Sequence, residues 1–171
     1  MRSRCTMSPH EFTIVFRAAT LTDADLDRLF DAGCDDGTFG EVDGVQYAEF
    51  TRTALSLEDA VSSARCQIES AVPGTCFVRV EPDDFVTAAD IASRMGRSRE
   101  SVRLLIAGER GPGGFPQPIS HFRTRSPRWS WADVTDWLVH ELGWPPQTAT
   151  DARYIARLNV ELEAERLATK A

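Results

Sequence analysis

The 171-residue chain has little of what catalysis or metal binding draws on. Its four cysteines (Cys5, Cys34, Cys66 and Cys76) include no C-x-x-C pair, and it has three histidines. The closely spaced ligand pairs of a structural zinc site are therefore missing, and the cysteines read as reduced thiols. It has no nucleophile elbow, no phosphate-cradling glycine loop and no Ser/His/Asp set with a local signature. We therefore expect no catalytic residue, no metal, no cofactor and no enzymatic activity. No apolar run approaches the ~18 residues of a membrane span. The opening MRSRCTMSPH has two arginines but no apolar stretch behind them, so it does not read as a secretory signal. Residues 1–10 read as a disordered leader, with Met1 or Met7 as the start, and the expected location is the cytoplasm.

Charge is present but unevenly spread. The whole chain is at −7, which is unusual for a nucleic-acid binder. Residues 1–86 carry 7 basic and 16 acidic residues, whereas residues 87–140 carry 8 basic and 5 acidic ones, all eight basic residues being arginine. A basic module thus sits beside an acidic one, an asymmetry that points to a nucleic-acid partner.

Residues 11–82 read as a βαββαβ unit. EFTIVFR alternates Phe12, Ile14 and Phe16 on one face, as a strand does. Thr22 is placed to cap a helix with Asp23 and Asp25 in its first turn, Leu26, Leu29 and Phe30 on its apolar side, and Gly33 at its end. Asp43-Gly44 joins the strands TFGEV and VQYAEFTRT as a hairpin. Ser56 caps a second helix with the stripe Leu57, Ala60, Val61, Ala64, Ile68 and Ala71, and CFVRV closes the unit as a strand. The order fits a ferredoxin-like α+β sandwich. Asp23, Asp25 and Asp27 mimic the start of a calcium loop, but Arg28 and Cys34 stand where that loop needs Gly and Glu. An RNA-binding sheet would need aromatic and basic residues on its open face, and this half is acidic. A dimerisation or partner-binding module is the expectation.

The segment TAADIASRMGRSRESVRLLI has the spacing of a helix-turn-helix. Thr87 caps the first helix, which buries Ile91, Ala92 and Met95. Gly96 supplies a turn with positive φ, and Ser98 caps a second helix with Val102, Leu105 and Ile106 on its apolar side. Ala92, Gly96 and Val102 give the small contact residue, the turn and the branched apolar residue that such a pair needs. The outer face of the second helix then offers Arg97, Ser98, Arg99, Glu100 and Arg103 to the major groove. Arg bonds guanine O6 and N7 bidentately, and Glu accepts from cytosine N4.

The next residues are spaced as a hairpin. A strand is expected near Gln117–Ser120 and another at Arg128–Trp129, with a basic turn between them. Ser130 and Asp133 then start a helix containing Val134, Trp137 and Leu138. His121, Arg123, Thr124, Arg125 and Arg128 would reach phosphates or a narrowed minor groove. Trp129, Trp131 and Trp137 could serve as stacking platforms, but their spacing favours core positions.

Over roughly residues 85–140 the chain resembles an AlpA- or excisionase-like winged helix-turn-helix domain of the MerR superfamily. The resemblance is carried by Gly96, then Gly114-Phe115-Pro116-Gln117-Pro118, Arg128-Trp129, Asp133 and Trp137-Leu138. It implies transcriptional regulation or phage-type excision, with Ser98, Arg99 and Arg103 reading bases and the wing arginines on the backbone. Glu100 and Glu109 depart from it by placing acid near the groove.

The expected class is therefore α+β: a ferredoxin-like domain over 11–82, a winged helix-turn-helix over 85–142 and a C-terminal helix over 147–171. In that helix Ile155, Leu158 and Leu162 form a narrow seam that could pack on the chain or on a second copy. The expected partner is double-stranded DNA, in the cytoplasm at the nucleoid, with a homodimer on paired half-sites. The alternative is an antitoxin-like or sensory module whose acidic half binds a protein or small ligand.

Overall fold

The computed structural model describes residues 6–169; Cys5 and the first half of the expected 1–10 leader lie outside them. The fold is α+β, with a four-stranded antiparallel sheet and six helices among the described residues. It divides into two compact units: residues up to Pro82 together with those from Arg157, and Asp83–Ala156.

The first unit contains β1 (Ser8–Arg17), α1 (Asp23–Asp31), β2 (Gly37–Val42), β3 (Val45–Ala54), α2 (Leu57–Ala71) and β4 (Cys76–Glu81). The strand order is β2-β3-β1-β4. Alternation sends Phe12, Ile14 and Phe16 of β1 and Ala48, Phe50 and Ala54 of β3 to one face, where all are buried. The rings of Phe12 and Phe50 stack at 5.3 Å. The stripe expected on α2 is the stripe that is buried. Asp43 and Gly44 take φ of 51° and 77°, the positive pair of a two-residue hairpin that sets Val42 against Val45.

The structure departs from the expected leader and from the expected apolar side of α1. Residues 8–10 belong to β1, since the long β3 supplies partners as far as the Ser8–Ala54 pair. Leu26 and Phe30 are 41% and 65% exposed, and only Leu29 is fully buried on α1. The helix is turned so that the line Asp25, Leu29, Ala32 faces inward, while Arg28 Nε donates to the Ala71 carbonyl at 3.1 Å.

Alternation also carries Arg52 to the inner face of β3, where it is 7% exposed. Its guanidinium donates to both Asp36 carboxylate oxygens (2.8 and 2.7 Å), Ser63 Oγ (3.0 Å), Gln67 Oε1 (2.7 Å) and the Gly33 carbonyl (3.0 Å). All five donors of the fork are used. Asp36 is the main reason its pKa is raised, against the opposing effect of burial.

α6 (Pro146–Ala168) begins in the second unit, and its residues from Arg157 belong to the first. Buried Asn159 mimics a strand neighbour for β4: its Oδ1 accepts from the Val80 N–H at 2.8 Å and its Nδ2 donates to the Val80 carbonyl at 2.9 Å. Asn159→Ala strands both backbone groups and should cost about 2 kcal/mol in urea unfolding. Ile155, Leu158 and Leu162 are 3%, 5% and 1% exposed, so the chain itself already covers the seam.

The second unit contains β5 (Phe85–Val86), α3 (Ala88–Met95), α4 (Arg99–Ile106), β6 (Trp129–Ser130), α5 (Trp131–Leu142) and the start of α6. Val86, Ile91, Val102, Val134 and Leu138 form its fully buried centre. β6 pairs with β5, a partnership not expected from the sequence. The expected Gln117–Ser120 strand reduces to a single bridge between Ser120 and Arg128. Pro116 and Pro118 have no N–H to donate, so the ladder cannot extend beyond it. Asp84, which falls between the expected 11–82 and 85–142 domains, fastens the start of α5. Its Oδ1 accepts from the Ala132 N–H (2.8 Å) and the Ser130 hydroxyl (3.2 Å), and its carbonyl accepts from the Trp131 N–H (2.7 Å).

Candidate nucleic-acid interface

The site grows from the α3–α4 turn. Thr87 and Asp90 form a reciprocal capping box at the start of α3: Asp90 N–H donates to Thr87 Oγ1 at 3.2 Å, and Thr87 N–H donates to Asp90 Oδ2 at 2.8 Å. Hydrogen bonds from the Thr87 hydroxyl and N–H hold the Asp90 carboxyl below its usual pKa, with Arg94 and Arg128 adding attraction. That carboxylate's contribution to stability is complete above the ordinary carboxylate range and is lost as pH falls through the lowered value. Gly96 ends α3 at φ 62°, ψ 32°, where a side chain would be strained. Ala92 and Val102, 2% and 0% exposed, are buried as the helix pair requires. Ser98 caps α4 by accepting from the Ser101 N–H at 3.1 Å.

Arg97, Ser98, Arg99, Glu100 and Arg103 are all exposed. They are not equally available. Arg103 Nε and one terminal nitrogen bond Glu100 at 3.0 and 2.9 Å, and its other terminal nitrogen is 3.6 Å from Glu109. The hydrogen bond from Arg103 lowers the Glu100 pKa. Arg97 and Arg99 form no side-chain ion pair among the described residues.

The arginine-rich loop is stapled by its own backbone. Thr124 N–H and hydroxyl both donate to the His121 carbonyl, at 2.9 and 2.8 Å, and the Thr124 hydroxyl accepts from the Ser126 N–H at 3.1 Å. Thr124 therefore shapes the turn. His121 takes φ 52°, and its Nδ1 is 3.1 Å from Ser120 Oγ. Arg123 sits 5.5 Å from the Phe122 ring centroid. Arg128 stays near enough to Asp90 to stabilise that carboxylate.

Arg99 of α4 and Arg125 of the loop line one cleft of about 270 Å³, with residues 87–89 at the start of α3 and Ser126-Pro127 forming the rest. Arg99 and Arg125 put two cationic side chains on this cleft, while the Asp90 carboxylate caps the helix that starts beside it. The sequence separates these elements by more than twenty residues, so nothing in it pointed to their meeting.

The tryptophans are structural. Trp129, Trp131 and Trp137 are 4%, 8% and 8% exposed. Trp129 Nε1 donates to the Pro116 carbonyl at 3.1 Å and Trp137 Nε1 to the Gly113 carbonyl at 2.9 Å, while Phe115 packs 5.0 Å from Trp137. Trp129 and Trp137 pin the Gly/Pro loop, and the burial of all three leaves no open face for stacking bases. Among the described residues no cluster of His, Cys, Asp or Glu is placed to hold a metal ion, and no helix is long and apolar enough to cross a membrane. No family model, curated protein or solved structure matches the chain.

Proposed function

We propose that the chain is a sequence-specific double-stranded DNA-binding protein that regulates transcription and performs no catalysis. On this reading Asp83–Ala156 is a winged helix-turn-helix unit of the AlpA/excisionase kind, with α4 in the major groove and the 119–128 loop as its wing. The first unit is ferredoxin-like, consistent with its β2-β3-β1-β4 order and two helices. Its acidic composition suits dimerisation or partner binding rather than a phosphate backbone. A homodimer at the nucleoid supplies the paired half-sites that one small reading helix needs.

The observation that carries the reading is the cleft shared by Arg99 and Arg125. On this reading Arg99 meets a phosphate together with Arg125, rather than the base expected for it. Base reading then falls to Arg97 and to the Glu100–Arg103 pair, whose acceptor and donor ends match cytosine N4 and guanine O6/N7. Glu100 and Glu109 also hold Arg103 away from indiscriminate phosphate contact.

Selection of bound sequences from a random duplex pool tests the proposal. The full chain should enrich one motif. Arg103→Ala should flatten preference at one position, about 1–3 kcal/mol of discrimination, with modest loss elsewhere. A pool that stays random over repeated rounds would overturn the reading.

A further inference from the structure

In the second unit the exposed large apolar side chains are Phe85, Ile119 and Phe122, so two of the three belong to the arginine-rich loop. Phe122, at its tip, is 65% exposed. The tip is not a loose loop. The Ser120–Arg128 bridge closes its base, and the two bonds from Thr124 to the His121 carbonyl close the turn around Phe122. His121, immediately before it, takes φ 52°, a left-handed conformation uncommon for non-glycine residues, though histidine is among those that adopt it most often. The loop itself is cationic: no acidic residue occurs between Glu109 and Asp133 in the sequence, and the Arg123 guanidinium rides 5.5 Å from the Phe122 ring.

We propose that Phe122 is a wedge that enters the minor groove and partly unstacks one base step, bending the duplex. This rests on the DNA-binding reading above. A rigid apolar tip flanked by cations fits that occupant. The negative potential of the minor groove draws in the arginines, and the ring replaces the stacking contact of the step it opens. The cost of opening is least at pyrimidine–purine steps, so TA or CA/TG should lie under the tip. Phe122 thereby contributes specificity at a position where no base-edge hydrogen bond is made.

The probe is a 30-base-pair duplex recovered from a random pool by the full chain, carrying 2-aminopurine at one position at a time and a donor–acceptor pair at its ends. Binding should raise 2-aminopurine fluorescence severalfold at one step and shorten the end-to-end distance. Phe122→Ala should abolish both signals and weaken binding about tenfold, leaving the salt dependence unchanged because no charge is lost. Phe122→Leu should keep the bend. Salt-dependent binding to a straight duplex, or an unchanged bend with Phe122→Ala, overturns the wedge and leaves the DNA reading intact. A chain that recovers no duplex overturns both.

Discussion

Replacing Arg52 with alanine should lower stability by about 3 kcal/mol, shifting the urea midpoint of the far-ultraviolet circular dichroism transition by roughly 1–2 M. The basis is the completeness of the Arg52 network. Five donors serve Asp36, Ser63, Gln67 and the Gly33 carbonyl, and the truncation leaves them unpaired where Arg52 is now 7% exposed. Asp36 keeps partial contact with water, which holds the loss to the lower part of the range for broken buried pairs. Arg52→Lys should recover less than half, since one ammonium cannot reach a carboxylate, a hydroxyl, an amide and a carbonyl from a single point. A loss below 1 kcal/mol for Arg52→Ala would mean that the network is ornamental.

The second large effect lies on the other unit. Arg99→Ala with Arg125→Ala should weaken binding to every duplex about a hundredfold, near 2.7 kcal/mol, because both arginines line one cleft beside the reading helix. Fluorescence anisotropy on the selected duplex and on an unrelated one should show similar losses. The salt slope should become shallower by about 1.8, the value for two phosphate contacts. A loss confined to the selected duplex would return Arg99 to base reading.

Much of the local structure was legible in the sequence because it rests on short-range chemistry. Caps at Thr22, Ser56, Thr87, Ser98 and Ser130, the positive-φ turn at Asp43-Gly44 and the apolar stripes of α2, α3 and α4 depend on neighbours a few residues away. What was not legible depends on distant partners. The rotation of α1 that exposes Phe30 goes with burial of Leu29 and with a bond from Arg28 to the Ala71 carbonyl, forty-three positions away. The β5–β6 pairing and the hold of Asp84 on α5 join residues more than forty positions apart. At the candidate site the arginines were legible but their states were not: Arg103 is engaged by two glutamates, and Arg99 shares a cleft with Arg125. Asn159 and Arg52 are polar residues whose burial only the packed chain reveals.

On the proposed reading the arginines of the second unit grip a DNA backbone. The most direct test is the affinity of the full chain for the selected duplex as salt rises from about 50 to 200 mM. Contact with about five phosphates predicts a log–log slope near −4.5. Affinity that does not change with salt, or no measurable duplex binding at the lowest salt, would contradict it.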